Sequence, residues 1–265
     1  MSRAAGAPLA LEIAVTSAAG ARTARDGGAD RVELCSALEL GGVTPSAALV
    51  AAVAAVGPPA HVLVRCRPGD FVYDADEIAL MAAEIRSAVA AGASGVVIGA
   101  LTAAGALDTE AMRRLLGAAV EAGAAEVTLH RAVDQAADPV ATAARASALG
   151  LTRVLTSGGA VTAADGIEVI RAIAAAAPGV EVMAGGGVRP SDVARLAAAG
   201  AAAVHLSAKR PAPPRRAGGW VPMGAAGSSA AADTHFVTDP ALVAAAHSAT
   251  AAAGSRRTTA AGSRK

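Results

Sequence analysis

Aromatic side chains are almost missing from this chain: one Trp, one Tyr and two Phe in 265 residues. Without rings on which bases or sugars can stack, single-stranded nucleic acid and carbohydrate drop out as partners. An excess of one charge is missing too, with 23 Lys+Arg against 22 Asp+Glu, so nothing in the composition recruits a polyanion. Lysine is confined to Lys209 and Lys265, outside every strand expected below, which removes a Schiff base inside a barrel lumen. The two cysteines, Cys35 and Cys66, lie in apolar runs without a spaced framework, the pattern of free thiols in a reducing compartment. No uninterrupted apolar run reaches the roughly 18 residues of a membrane span. Glu12 interrupts the short apolar start that would otherwise read as an export signal, so no membrane is expected and a cytoplasmic location is. Nucleophile-elbow, Walker, dinucleotide-binding and Cys-x-x-Cys motifs are all absent, and no organic cofactor is expected.

What is present is a repeat. Five times a Gly is followed four residues later by a Val that opens an apolar run: Gly28/Val32, Gly92/Val96, Gly123/Val127, Gly150/Val154 and Gly200/Val204. Each Gly closes an Ala-rich helical stretch, where a residue just past the helix end takes φ > 0 and only Gly does so without a Cβ clash. The spacing predicts strands near 11–16, 31–35, 61–67, 95–100, 126–131, 153–157, 181–185 and 203–207, with helices between them. Thr44-Pro45, Asp138-Pro139 and Arg189-Pro190 mark helix starts, because Pro in a first turn forfeits no hydrogen bond. Eight strictly alternating βα units predict a parallel sheet closed into a (β/α)8 TIM barrel, a single α/β domain over residues 8–208. Residues 209–237, rich in Pro, Gly and Ala, read as a mobile loop. A closing helix is expected over 238–253 and a disordered basic tail over 254–265.

Strand alternation assigns faces. Leu11, Ile13, Val15, Val32, Leu34, Val62, Val64, Val127, Leu129, Val204 and Leu206 should meet the helices. The opposite parity, facing the lumen, is polar: Glu12, Thr16, Glu33, Cys35, Arg65, Arg67, Thr128, His130, Ser157, Met183, His205 and Ser207. A purely structural lumen is filled by branched aliphatics, and an unpaired charge there costs several kcal/mol, so partners or function must hold these groups. Either Glu12, Glu33, Arg65 and Arg67 form a buried ion-pair network, or the late-strand residues form a site at the C-terminal rim, where barrel enzymes place their chemistry; both readings can hold together. Asp70 is expected to turn over that rim, Asp134 either to orient His130 or to lie solvated, and Cys66 to point outward into the helix layer. Gly185-Gly186-Gly187-Val188-Arg189 feeds a helix start, where backbone N–H groups attract anions. With Ser157 and Ser207 this makes Ser157, Gly186, Gly187, Arg189 and Ser207 a candidate anion site.

The segments Gly27-Gly28-Ala29-Asp30-Arg31-Val32-Glu33-Leu34-Cys35-Ser36 and Gly41-Gly42-Val43-Thr44-Pro45-Ser46 resemble the opening signature of the CutC family. The likeness continues through Gly69-Asp70-Phe71-Val72-Tyr73, His130-Arg131-Ala132-Val133-Asp134, Val154 to Gly158 and Gly185 to Arg189, up to Val204-His205-Leu206-Ser207-Ala208. It implies a cytoplasmic barrel, often a homo-oligomer, named for copper homeostasis and described as copper-binding. Glu12, Glu33, Cys35, Arg65, Arg67, Asp70, His130, Arg131, Asp134, Ser157, Arg189 and His205 match the family's recurring polar positions. The chain departs at Arg65-Cys66-Arg67-Pro68-Gly69-Asp70, where the family usually reads Arg-Pro-Arg-Gly-Gly-Asp, and after Ala208.

Two functions fit these residues. In one, a copper-handling protein binds copper(I) through Cys35 and His205, within a soft set inside the barrel that also includes Met183 and His130. In the other, an enzyme takes a small phosphorylated or carboxylated metabolite, with His130 as proton carrier, Glu33 or Asp134 as its partner, and Arg67, Arg131 and Arg189 as the anion clamp. A structural scaffold ranks third, since it would not need so polar a lumen. For Cys35 a small buried hydrophobe is the alternative to a ligand.

Overall fold

The computed structural model describes residues 9–213 and 235–262. Eight parallel strands close into one barrel in sequence order: β1 (Ala10–Val15), β2 (Arg31–Leu34), β3 (Ala60–Leu63), β4 (Gly95–Ile98), β5 (Glu126–Leu129), β6 (Arg153–Thr156), β7 (Glu181–Gly185) and β8 (Ala203–Leu206). Helices α1 (Ala18–Asp26), α2 (Ala47–Ala54), α3 (Ala75–Ala90), α4 (Thr109–Ala122), α5 (Pro139–Ala148), α6 (Ile167–Ala176) and α7 (Val193–Ala198) alternate with them. The five repeat glycines all sit in the left-handed region, with φ between 87° and 104°, as the helix-ending reading requires. Helix starts are written locally: Asp138 caps α5 with Pro139 in its first turn, and Asp74 and Glu77 form a reciprocal capping box on α3.

The apolar parity packs outward. Leu11, Ile13, Leu34 and Leu129 are fully buried against Met81, Ile85, Met112, Leu115 and Ile170 of the helices. Each such side chain contributes roughly 1.5–3 kcal/mol on leaving water. Cys66, part-exposed, packs on the same outer core, as its parity required.

The structure departs from expectation in three places. β3 ends at Leu63 rather than near 67, because Arg65 and Thr44 bond each other: the Arg65 N–H donates to Thr44 Oγ1 at 2.9 Å and the Thr44 N–H to the Arg65 carbonyl. That tie also holds Pro45 before the Ser46 cap of α2, outside the helix. The expected loop begins as structure, since β9 (Lys209–Pro211) pairs antiparallel with β10 (Phe236–Thr238); residues 214–234 lie outside the described residues. Finally, α8 runs Pro240–Gly262, past Gly254, where a disordered tail is expected. Val243 and Ala246 of α8 are fully buried in the outer core.

Candidate functional site

Charges enter the lumen at both ends. Arg31, Glu126, Arg153 and Glu181 open their strands, with His61 second in β3, so these side chains project into the N-terminal end. Arg31 Nε donates to Glu12 Oε2 at 2.6 Å, and Arg153 donates to Glu126 at 2.9 Å and Glu181 at 2.8 Å. His61 lies 3.3 Å from Glu126, and its burial pushes its pKa down to about 4 despite Glu12 nearby. The expected ion-pair network therefore exists, but Arg31 and Arg153 supply its cations rather than Arg65 and Arg67. Sequence reasoning missed Arg31, His61, Glu126, Arg153 and Glu181, although all five share the inward parity.

Glu12 links this network to the mouth. Its Oε1 lies 2.8 Å from His205 Nδ1, and His205 Nε2 lies 3.6 Å from Glu33 Oε2. Burial opposes the Glu12 charge, but His205 and Arg31 outweigh it and hold the carboxyl below its ordinary range. Burial likewise opposes charge on His205, yet its two carboxylate neighbours keep its pKa raised. Glu33 is pushed up to about 7, chiefly by burial and further by the nearby Glu12 charge, against the pull of His205. A carboxyl poised there can give or take a proton at neutral pH.

The C-terminal mouth is a cavity of about 410 Å³, reached by Glu33, His205, His130, Arg65, Arg131 and Arg189. Gly186, Gly187, Ser207 and Lys209 line it too, so Lys209 lies at the rim of the site rather than remote from it. Arg65 donates to the carbonyls of Leu40, Gly42 and Gly69 and lies 5.0 Å from the Phe71 ring, with no carboxylate partner among the described residues. Arg131 Nε donates to Asp134 at 2.7 Å and its Nη2 to Ser157 Oγ at 2.8 Å. Gly186 makes room for that guanidinium: a Cβ there would lie 3.1 Å from Arg131 Cζ. The Arg189 guanidinium is exposed and meets no acid among the described residues.

Several expected roles change in this geometry. Arg67 leaves the lumen and binds Glu77 of α3 and Asp70, because β3 has already ended; Asp70 is exposed in that pair. Asp134 does not orient His130. It accepts from Arg131, Thr156 Oγ1 and the N–H groups of Ser157 and Gly159, fixing the β6 loop and the clamp. Ser157 is buried and committed to Arg131, Asp134 and the Ala160 carbonyl, so it stands behind the cavity. The helix-start argument for anions is weak here, since Pro190–Asp192 is one 3-10 turn, α7 has six residues, and Asp192 already accepts the Arg189 N–H at 3.0 Å.

His130 is buried, and its Nδ1 accepts the Ala132 N–H at 3.1 Å. Burial, then the positive charge of Arg65, pushes its pKa down to about 3. The ring is neutral, which suits a donor better than the expected proton carrier.

The soft donors are not assembled. Cys35 is buried among Leu38, Leu63 and Val97, its thiol pKa raised by burial and by Glu33. His205 is held by two carboxylates, and Met183 Sδ already receives Arg31 Nη2 at 3.3 Å. Among the described residues no group of three or more His, Cys, Asp or Glu is placed to hold a metal ion. This donor set does not fit copper(I), which favours converging thiolate, thioether or imidazole ligands.

The profile of the CutC family matches residues 9–210. The chain belongs to the CutC family. Named CutC relatives include one from Xanthomonas campestris pv. campestris, 44% identical over 206 residues that cover 77% of this chain and 85% of the relative. A CutC protein of Xylella fastidiosa is 45% identical, with 80% of each chain covered. Among solved structures, the CutC protein of Streptococcus agalactiae, named for copper homeostasis, superposes with a TM-score of 0.70 at 28% identity, covering 75% of this chain and 98% of that one. Among the described residues of this CutC-family barrel, no helix is long and apolar enough to cross a membrane.

Proposed function

We propose that this chain is an enzyme whose barrel mouth binds a small phosphorylated or carboxylated metabolite and moves a proton on it. One observation carries the reading: Arg65, Arg189 and Lys209, none with an ion-pair partner among the described residues, converge with the Asp134-bound Arg131 on the cavity that also holds Glu33, poised near neutral pH. Arg131 and Arg189 clamp the anion, with Gly186, Gly187 and Ser207 as the surrounding wall. Glu33 carries the proton, and His205 behind it keeps the carboxylate accessible. A cytoplasmic location, which two free thiols support, and homo-oligomerisation, which the family likeness supports, belong to the same proposal.

Thermal melting against a panel of small phosphates and carboxylates tests it. At least one should raise Tm by several degrees, and Arg131→Ala should remove that protection. No protection across the panel at millimolar concentration sinks the reading.

The second reading, copper(I) held at Cys35 and His205, rests on kinship with a protein named for copper homeostasis. Competitive copper(I) titration of reduced protein separates the two. We expect weak binding that Cys35→Ala and His205→Ala leave unchanged; tight, stoichiometric binding lost in both variants would reverse the ranking.

A further inference from the structure

Among the described residues, two buried side-chain atoms of the cavity's own lining have no hydrogen-bond partner, Arg65 Nε and His130 Nε2. His130 is the informative one. With Nδ1 accepting from the Ala132 N–H, the single ring proton resides on Nε2, so a residue of the cavity lining carries a buried N–H donor with nothing to receive it among the described residues. An unmet buried donor is destabilising, and a ligand acceptor would remove that cost. The ring is further fixed by Phe71, whose centroid lies 4.8 Å away. On the other side of the same cavity, on β2, stands Glu33.

Resting on the anion-binding reading above, we infer that the ligand is an anion bearing a carbonyl group, that His130 Nε2–H donates to its oxygen, and that Glu33 removes a proton from the adjacent carbon. The C–H bond breaks and Glu33 gains the O–H bond. The C–H electron pair becomes the C=C bond of an enolate, while the carbonyl π pair moves onto oxygen. Glu33 exchanges that proton with water and returns a solvent proton to the same carbon, giving hydrogen exchange next to the carbonyl without any oxidant or co-reactant. A neutral imidazole suits this role because it stabilises a developing oxyanion without surrendering its own proton. Arg65 adds positive charge beside it, and the chemistry needs no Schiff base.

The test is hydrogen exchange in D2O, followed by proton NMR, on pyruvate, 2-oxoglutarate, dihydroxyacetone phosphate and ribulose 5-phosphate. Lactate and glycerol 3-phosphate serve as carbonyl-free probes of binding alone. Exchange next to the carbonyl of at least one probe should be accelerated, abolished by Glu33→Gln, and slowed about 100-fold by His130→Ala, the usual loss for one oxyanion donor. Nitrogen-15 NMR of the wild-type ring keeps the inference falsifiable should that variant fail to fold. The expected result is an Nε2–H tautomer, uncharged at pH 6. Probes that bind without exchanging, or a His130 ring protonated on Nδ1, would overturn the carbonyl inference and leave anion binding intact. Absence of binding by every probe would overturn both.

Discussion

At the N-terminal end of the lumen Arg31 meets Glu12 at 2.6 Å and Arg153 meets Glu181 at 2.8 Å, whereas at the C-terminal mouth His130 Nε2 and Arg65 Nε are buried with no partner among the described residues. The residue types at the two ends are alike; their hydrogen-bond accounts are not. Charges that close on one another plug the barrel, and donors left open are available to a ligand. Because burying a charge is costly unless it is paired, the closed end can be understood from the fold alone, while the open end needs an occupant.

The sharpest way to break this contrast is to remove one partner at each end. Glu12→Ala strands Arg31 in the lumen and should cost about 3–5 kcal/mol in chemical denaturation. Arg189→Ala, at the exposed rim, should stay within about 0.5 kcal/mol of wild type. If the rim variant proves the more destabilising, the division between plug and site fails.

Next in size is a pH effect at the junction of the two ends. Glu33 is raised from an ordinary 4.5 to about 7, so between those values the folded chain holds a proton that the unfolded chain has released. Stability attributable to this group is therefore full below about pH 4.5 and declines as pH rises towards 7, by on the order of 2–3 kcal/mol. Glu33→Gln should flatten that decline in denaturation curves between pH 5 and 8. An unchanged slope would place the Glu33 proton outside this window.

The smallest effect sharpens the mouth itself. Arg189→Ala should weaken a protecting anion about tenfold, roughly 1.4 kcal/mol, read by calorimetric titration. Equal affinity in variant and wild type would remove Arg189 from the clamp.

Much of this was legible beforehand. The glycine-to-valine spacing located the units, and alternation separated the residues facing the helices from those facing the lumen. The same alternation contains Arg31, His61, Glu126, Arg153 and Glu181, but which of these charges meet is set by the register between strands. Arg67 was misplaced because β3 was extended past the Thr44–Arg65 tie, which joins residues 21 apart. Asp134 and Ser157 share one hydrogen-bond set although they lie 23 residues apart, a partnership that neither orientation of His130 nor a solvated loop charge anticipates.

By itself, then, the sequence determined the alternation of helix and strand, their number and the parity of each inward side chain, since these follow from local backbone preferences and a period of two. Tertiary structure alone decided which charges found partners. Barrel closure brings Arg153 to His61 at 3.5 Å across 92 residues and His205 to Glu12 at 2.8 Å across 193, while it leaves His130 Nε2, on a residue of the cavity lining, buried and unmet among the described residues. Partnering depends on strand stagger around a closed sheet, a property of all eight strands together and of no segment alone.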